Sequence, residues 1–276
     1  MKLSEAIERL RRGGVPDARA EGRIIFTELG KIPAYKTVGA DPETDSEEVV
    51  AAISRREKRE PLGYILGKVG FYNEVYEVTA DTLIPRQDTE VLVEYAIDHL
   101  EAGAAFADLC TGSGCVAISV LKNTNGTKAF AVDISDGALR VADRNAELNG
   151  VSDRIELICS DVLDGPSCKI PVGLGAILAN PPYVTEEEYP SLEEEIFFEP
   201  KNAFVGGEDG GDFYRAITKK YKELVSDNGF IAYEIGYRQA ELLRSIADRE
   251  NMSCEIIYDL SSNPRVAVLR KQKQKN

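Results

Sequence analysis

From residue 88 onward, short apolar runs alternate with segments of helical period. Runs of strand length occur at AAFADL, AFAVDI, IELICSD, GAILAN, FIAYEIG, CEIIYDL and RVAVLR, and helix-period stretches such as DGALRVADRNAELN and YRQAELLRSIADREN fall between several of them. Strands buried on both faces read as continuous apolar runs, and parallel neighbours need a helical crossover. The pattern predicts an α/β fold: a Rossmann-like, seven-stranded, mostly parallel sheet covered on both faces, with ligands at the C-terminal ends of its strands.

The first 60 residues read differently. Leu3, Ala6, Ile7 and Leu10 keep i, i+3, i+4, i+7 spacing, and DARAEGRIIFTELG resumes the helical period until Gly30. SEEVVAAISRREKRE adds another helix, with Ser46 placed to cap it and Glu48 in its first turn. GKVGFYNEVYEVTADTLIPR then alternates aromatic and β-branched residues around Tyr72–Asn73, as a hairpin does. The expected organisation is a small helical domain over residues 1–66, a hairpin connector over 67–87 and the sheet domain over 88–276.

Charge sharpens this division. Residues 1–70 hold 13 Lys and Arg against 12 Asp and Glu, leaving 20 against 35 for the remainder of a chain with net charge −14. So acidic a surface repels nucleic acid and favours basic partners. No apolar run approaches the ~20 residues of a membrane span, and the start MKLSEAIERL is amphipathic rather than a signal segment, so the expected location is the cytoplasm. Five cysteines without a CxxC pair predict neither a disulfide framework nor a metal site. The single histidine, His99, ends a helical stretch and rules out chemistry built on several histidines.

Three strand ends carry candidate chemistry. The first runs into DLCTGSGCVAIS, where Gly112 and Gly114 permit a sharp turn and close ligand approach before a helix N-terminus. The spacing Gly112-x-Gly114-x-x-Ala117, with Asp133 about 20 residues on, also fits a dinucleotide fingerprint. Asp133, closing the second strand in AVDIS, suits a ribose diol, since a helix cap belongs at Ser135 or Asp136. The third strand ends CSDVLD, where Asp161 and the Val162 backbone are placed for the edge of a base.

The fourth strand ends in Asn180-Pro181-Pro182-Tyr183. A residue before proline is held extended, and proline brings no N–H to compete for acceptors. The Asn180 side-chain oxygen and the Pro181 carbonyl form a pair of acceptors for a planar NH₂ group, with the Tyr183 ring as a stacking surface. Acceptors pulling on both hydrogens of an amide favour a pyramidal nitrogen and aim its lone pair at an electrophile.

DLCTGSGCVAIS, AVDIS and NPPY together resemble class I methyltransferases that modify planar amino groups. PLGYILG, LIPRQDTE and EPKNAFVGGEDGGDFYRAI resemble one branch, the HemK-type protein-glutamine methyltransferases of peptide chain release factors. The resemblance implies S-adenosyl-L-methionine as cofactor, release factors as protein substrate, and methylation of the glutamine in their Gly-Gly-Gln loop, with no nucleic acid or membrane partner. It implies cofactor contacts at Cys110, Thr111, Gly112, Ser113, Gly114, Asp133, Asp161, Val162 and Asn180, glutamine contacts at Asn180, Pro181, Pro182 and Tyr183, and catalytic roles for Asn180, Pro181 and Tyr183. Residues 1–66 become the substrate-recognition domain. Cys110 departs from the usual glycine, RQDTE from Arg-Pro-Glu-Thr-Glu, and SSNPRVAV from Gly-Arg-Asp-Arg.

A DNA adenine or ribosomal-RNA guanine methyltransferase would use the same NPPY chemistry, but the acidic charge and the lack of a basic, aromatic-studded insertion oppose it. An NAD-dependent oxidoreductase accounts for the glycine loop and leaves NPPY idle. A non-catalytic cofactor-binding scaffold gives no reason for paired acceptors beside a ring.

Overall fold

The computed structural model describes residues 1–272. The chain divides into two units: Met1–Val69 with Glu193–Glu199, and Gly70–Leu192 with Pro200 onward.

The first unit is helical, with α1 (Leu3–Arg12), α2 (Ala18–Glu28), α3 (Ala34–Thr37), α4 (Glu47–Arg56) and α5 (Leu62–Leu66). The periodic apolar stripes of α1, α2 and α4 meet in one core, where Leu10, Ile25, Phe26, Val49 and Ile53 are fully buried. Ser46 caps α4 by accepting from the Val49 N–H. The core is closed by a charged clamp. The buried Arg56 guanidinium donates to Glu21 at 2.5 Å and to Glu195 at 2.9 Å, and Arg59 donates to both oxygens of Glu195. Those bonds hold Glu193–Glu199 in this unit, a placement for which the local sequence carries no periodic signal. Burying an Arg is tolerable because two carboxylates meet its planar fork.

A two-stranded ribbon follows, β1 (Lys68–Phe71) and β2 (Glu74–Glu77), turning at Tyr72 and Asn73. Both turn residues have positive φ, 46° and 72°, as a twist-matched two-residue hairpin requires.

The second unit continues through α6 (Glu90–His99), β3 (Ala105–Leu109), α7 (Cys115–Asn123), β4 (Lys128–Asp133), α8 (Asp136–Leu148), β5 (Ile155–Cys159), β6 (Leu174–Ala179), α9 (Asp212–Tyr221), β7 (Val225–Glu234), α10 (Ala240–Arg249), β8 (Met252–Tyr258) and β9 (Pro264–Lys271). The seven strands β3–β9 form one sheet in the order β5-β4-β3-β6-β7-β9-β8, parallel except for the antiparallel pairings of β9. Tyr214, Ile217 and Tyr221 of α9, with Leu243 and Ile246 of α10, pack in one cluster with Ala107, Leu109, Ile177, Ala179 and Tyr233 of the sheet. Alternation turns Asp108 to the opposite face, toward α7.

The strand order fixes where a ligand belongs. After β3 the chain moves outward through β4 and β5, then returns to the other side of β3 with β6. Between β3 and β6 the winding reverses, and the loops after them diverge around a crevice. In register, Leu109 lies beside both Val132 and Ala179, so Cys110, Asp133 and Asn180 leave the sheet at one edge.

Candidate active site

At that edge lies a cavity of about 340 Å³. Cys110, Gly112, Asp133, Asp161, Val162, Asn180 and Pro182 line it, with Ile134 and Phe213 among its apolar walls. A smaller hollow of about 30 Å³ adjoins, bounded by Thr111, Ser113, Thr89 and again Cys110, Gly112 and Asn180. Gly114, Pro181 and Tyr183 line neither hollow. The sequence reading gave no site role to Ala80–Leu83, nor to Pro200, Asn202 and Ala203, which also border the larger cavity. Leu83 opens LIPRQDTE and the last three lie within EPKNAF, which was the signal they carried.

The glycine loop is bracketed from both sides. Asp133 accepts from the Gly112 N–H through Oδ2 and from the Ser135 N–H through Oδ1, both at 2.9 Å. Ser135 caps α8 through the Ala138 N–H, one of the two positions expected for the cap, whereas the bracing of the glycine loop by Asp133 was not foreseen. Burial raises the Asp133 pKa, opposed by the N–H groups of Ser135, Gly112 and Ile134. On the α7 side, Asp108 accepts from Thr111 Oγ1 at 2.5 Å and the Ala117 N–H at 3.2 Å. Burial lifts its pKa to about 7 against those two bonds. Asn145 donates to the Ser113 carbonyl at 2.9 Å and pins the loop's far end. Thr111 is thus buried by its bond to Asp108 and Ser113 by the hold of Asn145 on its carbonyl, and neither lines the larger cavity.

Cys110 has φ 62°, the left-handed region where a side chain is strained. A glycine there would carry no such strain, which is the physical content of the departure from the family pattern. Burial and the carboxylates of Asp133, Asp108 and Asp161 hold the Cys110 thiol well above its usual pKa, so it stays protonated.

Asn180 follows β6 directly, with its amide already committed: Nδ2 donates to Thr89 Oγ1 at 3.2 Å. Thr89 Oγ1 in turn donates to Glu234 Oε2 at 2.5 Å, and the Tyr183 hydroxyl donates to Glu234 Oε1 at 3.2 Å. The sequence reading assigned Tyr183 a role for its ring alone and gave Thr89 and Glu234 none. A signal for Glu234 existed, since a carboxylate inside the apolar run FIAYEIG must find partners or destabilise the sheet.

Segment 204–210 lies flush on this turn. Val184 and Gly206 exchange backbone bonds with Phe204 and Val184 at 2.8 and 2.9 Å. A Cβ on Gly206 would sit 2.3 Å from the Pro182 carbonyl oxygen and one on Gly210 2.1 Å from the Tyr183 carbonyl oxygen, so these two glycines of FVGGEDGG are explained by contact with NPPY.

These residues fit S-adenosyl-L-methionine. The cavity is in the range of small-ligand sites, roughly 300–1,000 Å³, and it combines apolar walls with polar groups that include Asp133, Asp161 and Asn180. A Cβ built on Gly112 meets nothing within 4 Å, so the backbone there is open to close approach from the cavity. Asp133 spends one acceptor site on each oxygen to hold the loop, and a carboxylate has about four.

Comparison with known proteins agrees. Residues 2–67 match the family model described as the PrmC N-terminal domain, and residues 87–248 the methyltransferase small domain. A release factor glutamine methyltransferase of Thermodesulfovibrio yellowstonii is 36% identical over 262 residues, covering 92% of each chain. One from Rhodospirillum rubrum is 35% identical over 280 residues, 98% of this chain and 84% of the relative. Among solved structures, ribosomal protein L11 methylase from Lactobacillus delbrueckii subsp. bulgaricus matches with TM-score 0.52 and 19% identity over 72% of this chain and 87% of that one, a likeness of fold.

Proposed function

This chain belongs to the release factor glutamine methyltransferase family, and on that premise we propose that it methylates the side-chain amide nitrogen of the glutamine in the Gly-Gly-Gln loop of peptide chain release factors. S-adenosyl-L-methionine, when bound, supplies a methyl group on a cationic sulfur. The observation that carries the proposal is the Asn180 amide. Its Nδ2 donates to Thr89, which leaves Oδ1 as the acceptor that a substrate amide needs.

In this reading Cys110, Gly112, Asp133, Asp161 and Val162 hold the nucleoside, while Thr111, Ser113 and Gly114 shape the loop that presents them. Asn180 Oδ1 and the Pro181 carbonyl accept the two N–H groups of the glutamine. They weaken delocalisation of the nitrogen lone pair and orient it, and the proton that the nitrogen sheds once methylated passes to water, since neither carbonyl is basic enough to keep it. Pro182 walls the pocket, and the Tyr183 ring stacks on the amide plane. A decisive measurement is mass spectrometry of purified release factor after incubation with the enzyme and methyl-labelled cofactor. One label on the glutamine of the Gly-Gly-Gln loop is expected; label elsewhere, or none, overturns the proposal.

A glutamine is a small handle, so recognition of the factor has to come from surface beyond the pocket. The helical unit is the part of the chain that no catalytic motif occupies, and we assign docking of the factor's body to it. It exposes Tyr35 and Val38 at 74% and 64%. Replacing both by glutamate is expected to lower kcat/KM on whole release factor and leave activity on a short loop peptide unchanged. Equal losses on both substrates would refute the assignment.

A further inference from the structure

Asn180 is positioned by a chain of groups that the proposed chemistry does not itself require. Thr89 and Glu234 are both only 2% exposed, and they stand 91 and 54 residues from Asn180 in sequence. We infer that Glu234, acting through Thr89, is a positioning residue that decides which end of the Asn180 side-chain amide faces the substrate. The inference rests on the reading of Asn180 as the acceptor for a glutamine amide.

An ionised carboxylate can only accept. With Glu234 ionised, the Thr89 hydroxyl has to spend its single hydrogen on Oε2, at 2.5 Å. Its oxygen is then available only as an acceptor toward Asn180, and the Asn180 atom within reach at 3.2 Å must be Nδ2. Oδ1 is thereby turned away from Thr89 and left for the substrate. The Tyr183 hydroxyl occupies the other oxygen, Oε1, so each carboxylate oxygen accepts from one hydroxyl, while the Tyr214 hydroxyl donates to the backbone carbonyl of the same residue at 3.1 Å.

A proton on Glu234 reverses the chain. Oε2–H can donate to Thr89, the Thr89 hydrogen turns toward Asn180, and the amide has to present Oδ1 inward and NH₂ outward. A substrate NH₂ would then meet another NH₂. The groups facing Glu234 set where this happens: Arg265 on β9 and the hydroxyls of Thr89 and Tyr183 favour the ion, while Asp88, beside Thr89, opposes it. Tyr214 of α9 and Cys115 of α7 also lie within its field. Burial is the dominant influence and lifts Glu234 to about 7.

The same arrangement joins two departures from the family pattern. Asp88 of RQDTE pairs with Arg265 of SSNPRVAV at 3.0 Å, and Arg265 is held also by Asp259 at 3.1 Å. Both altered loops therefore bear on the carboxylate that orients Asn180.

Two measurements test the relay. In the ligand-free protein, a pH titration by NMR should show the Asn180 side-chain amide signals following the carboxyl carbon of Glu234 with a common midpoint, and Thr89→Val should abolish that coupling. In the methylation assay on release factor, Thr89→Val should lower kcat on the order of a hundredfold, the scale for losing one preorganised polar contact. KM and cofactor affinity should hold, and Thr89→Ser should restore most of kcat. Wild-type kcat should rise with pH through the Glu234 midpoint, and Glu234→Gln should lose that limb. An Asn180 signal that ignores Glu234, a normal kcat in Thr89→Val, or a limb that survives Glu234→Gln each overturns the relay. If wild-type enzyme leaves the glutamine unmethylated, the proposed function fails instead, and the NMR titration still decides the relay.

Discussion

Asp133 does two jobs with one carboxylate, and they can be separated. Asp133→Asn replaces one oxygen by an NH₂ of nearly the same shape. In the native protein Gly112 and Ser135 each donate to a different oxygen at 2.9 Å, so the amide can serve one of them and opposes the other with a second donor. The bracket loses one charge-assisted bond, about 1.5–3 kcal/mol, offset in part because a neutral amide is cheaper to bury than the ion. That loss is present with and without ligand, so it lowers stability and not affinity. Affinity falls for a separate reason. A ribose diol would donate to both oxygens, and the amide keeps one acceptor. Losing one such bond, about 1.5–3 kcal/mol, raises Kd by roughly one to two powers of ten. Asp133→Ala should lose both contacts and weaken binding further. Calorimetry with S-adenosylmethionine gives Kd, and thermal melts give the stability change in parallel. A melting temperature that falls in Asp133→Asn while Kd stays put would make Asp133 a loop brace only. Since burial raises this group's pKa, wild-type affinity should also fall as pH drops through it, because the neutral acid offers a weaker acceptor.

Other perturbations have equally definite signs. Cys110→Gly relieves the left-handed strain, about 1–2 kcal/mol, but gives back roughly 0.5–1 kcal/mol in unfolded-chain entropy and some buried contact; the net change in chemical denaturation should be small. Cys110→Val, β-branched at the same φ of 62°, should be clearly destabilising. Arg56→Ala takes the partner from Glu21 while Glu195 keeps its two bonds from Arg59, so the loss in urea unfolding should stay below the ~3–5 kcal/mol of a buried pair broken outright. For Glu234 the folded pKa, about 7, lies above its ordinary 4.5, so folding favours the protonated acid. Wild-type stability should therefore decline as pH rises from about 4.5 to about 7 and then level off, and Glu234→Gln should lack that decline, a difference on the order of 3 kcal/mol at pH 8. A flat wild-type profile over that window would remove the buried-carboxylate account.

What the chain discloses without coordinates follows from distance along it. Each of the seven strands is a short apolar run, and parallel winding places the C-terminal ends of β3, β4 and β6 on one side of the sheet, so CTGSG, Asp133 and NPPY could be brought together before any side chain was seen. Within a few residues of those ends the reading also held, with Ser135 as the α8 cap and Ser46 as the α4 cap. It gave out wherever a role depends on a partner far away. Cys110 reads as an ordinary thiol until its φ is known. Glu195 reads as one of several acids in EEEYPSLEEE until Arg56 and Arg59 claim it. Thr89 and Glu234, separated by 145 residues, carry only the indirect signal of a charge within an apolar strand. That signal was the most informative of those passed over. Ionisation of that carboxylate costs the sheet stability, and the bonds from Glu234 through Thr89 to Asn180 are what the inferred positioning role sets against that cost. The stability that Glu234 forfeits above neutral pH and the fixed orientation of Asn180 are two consequences of the same charge. A variant that recovers the first by becoming glutamine should therefore lose the second.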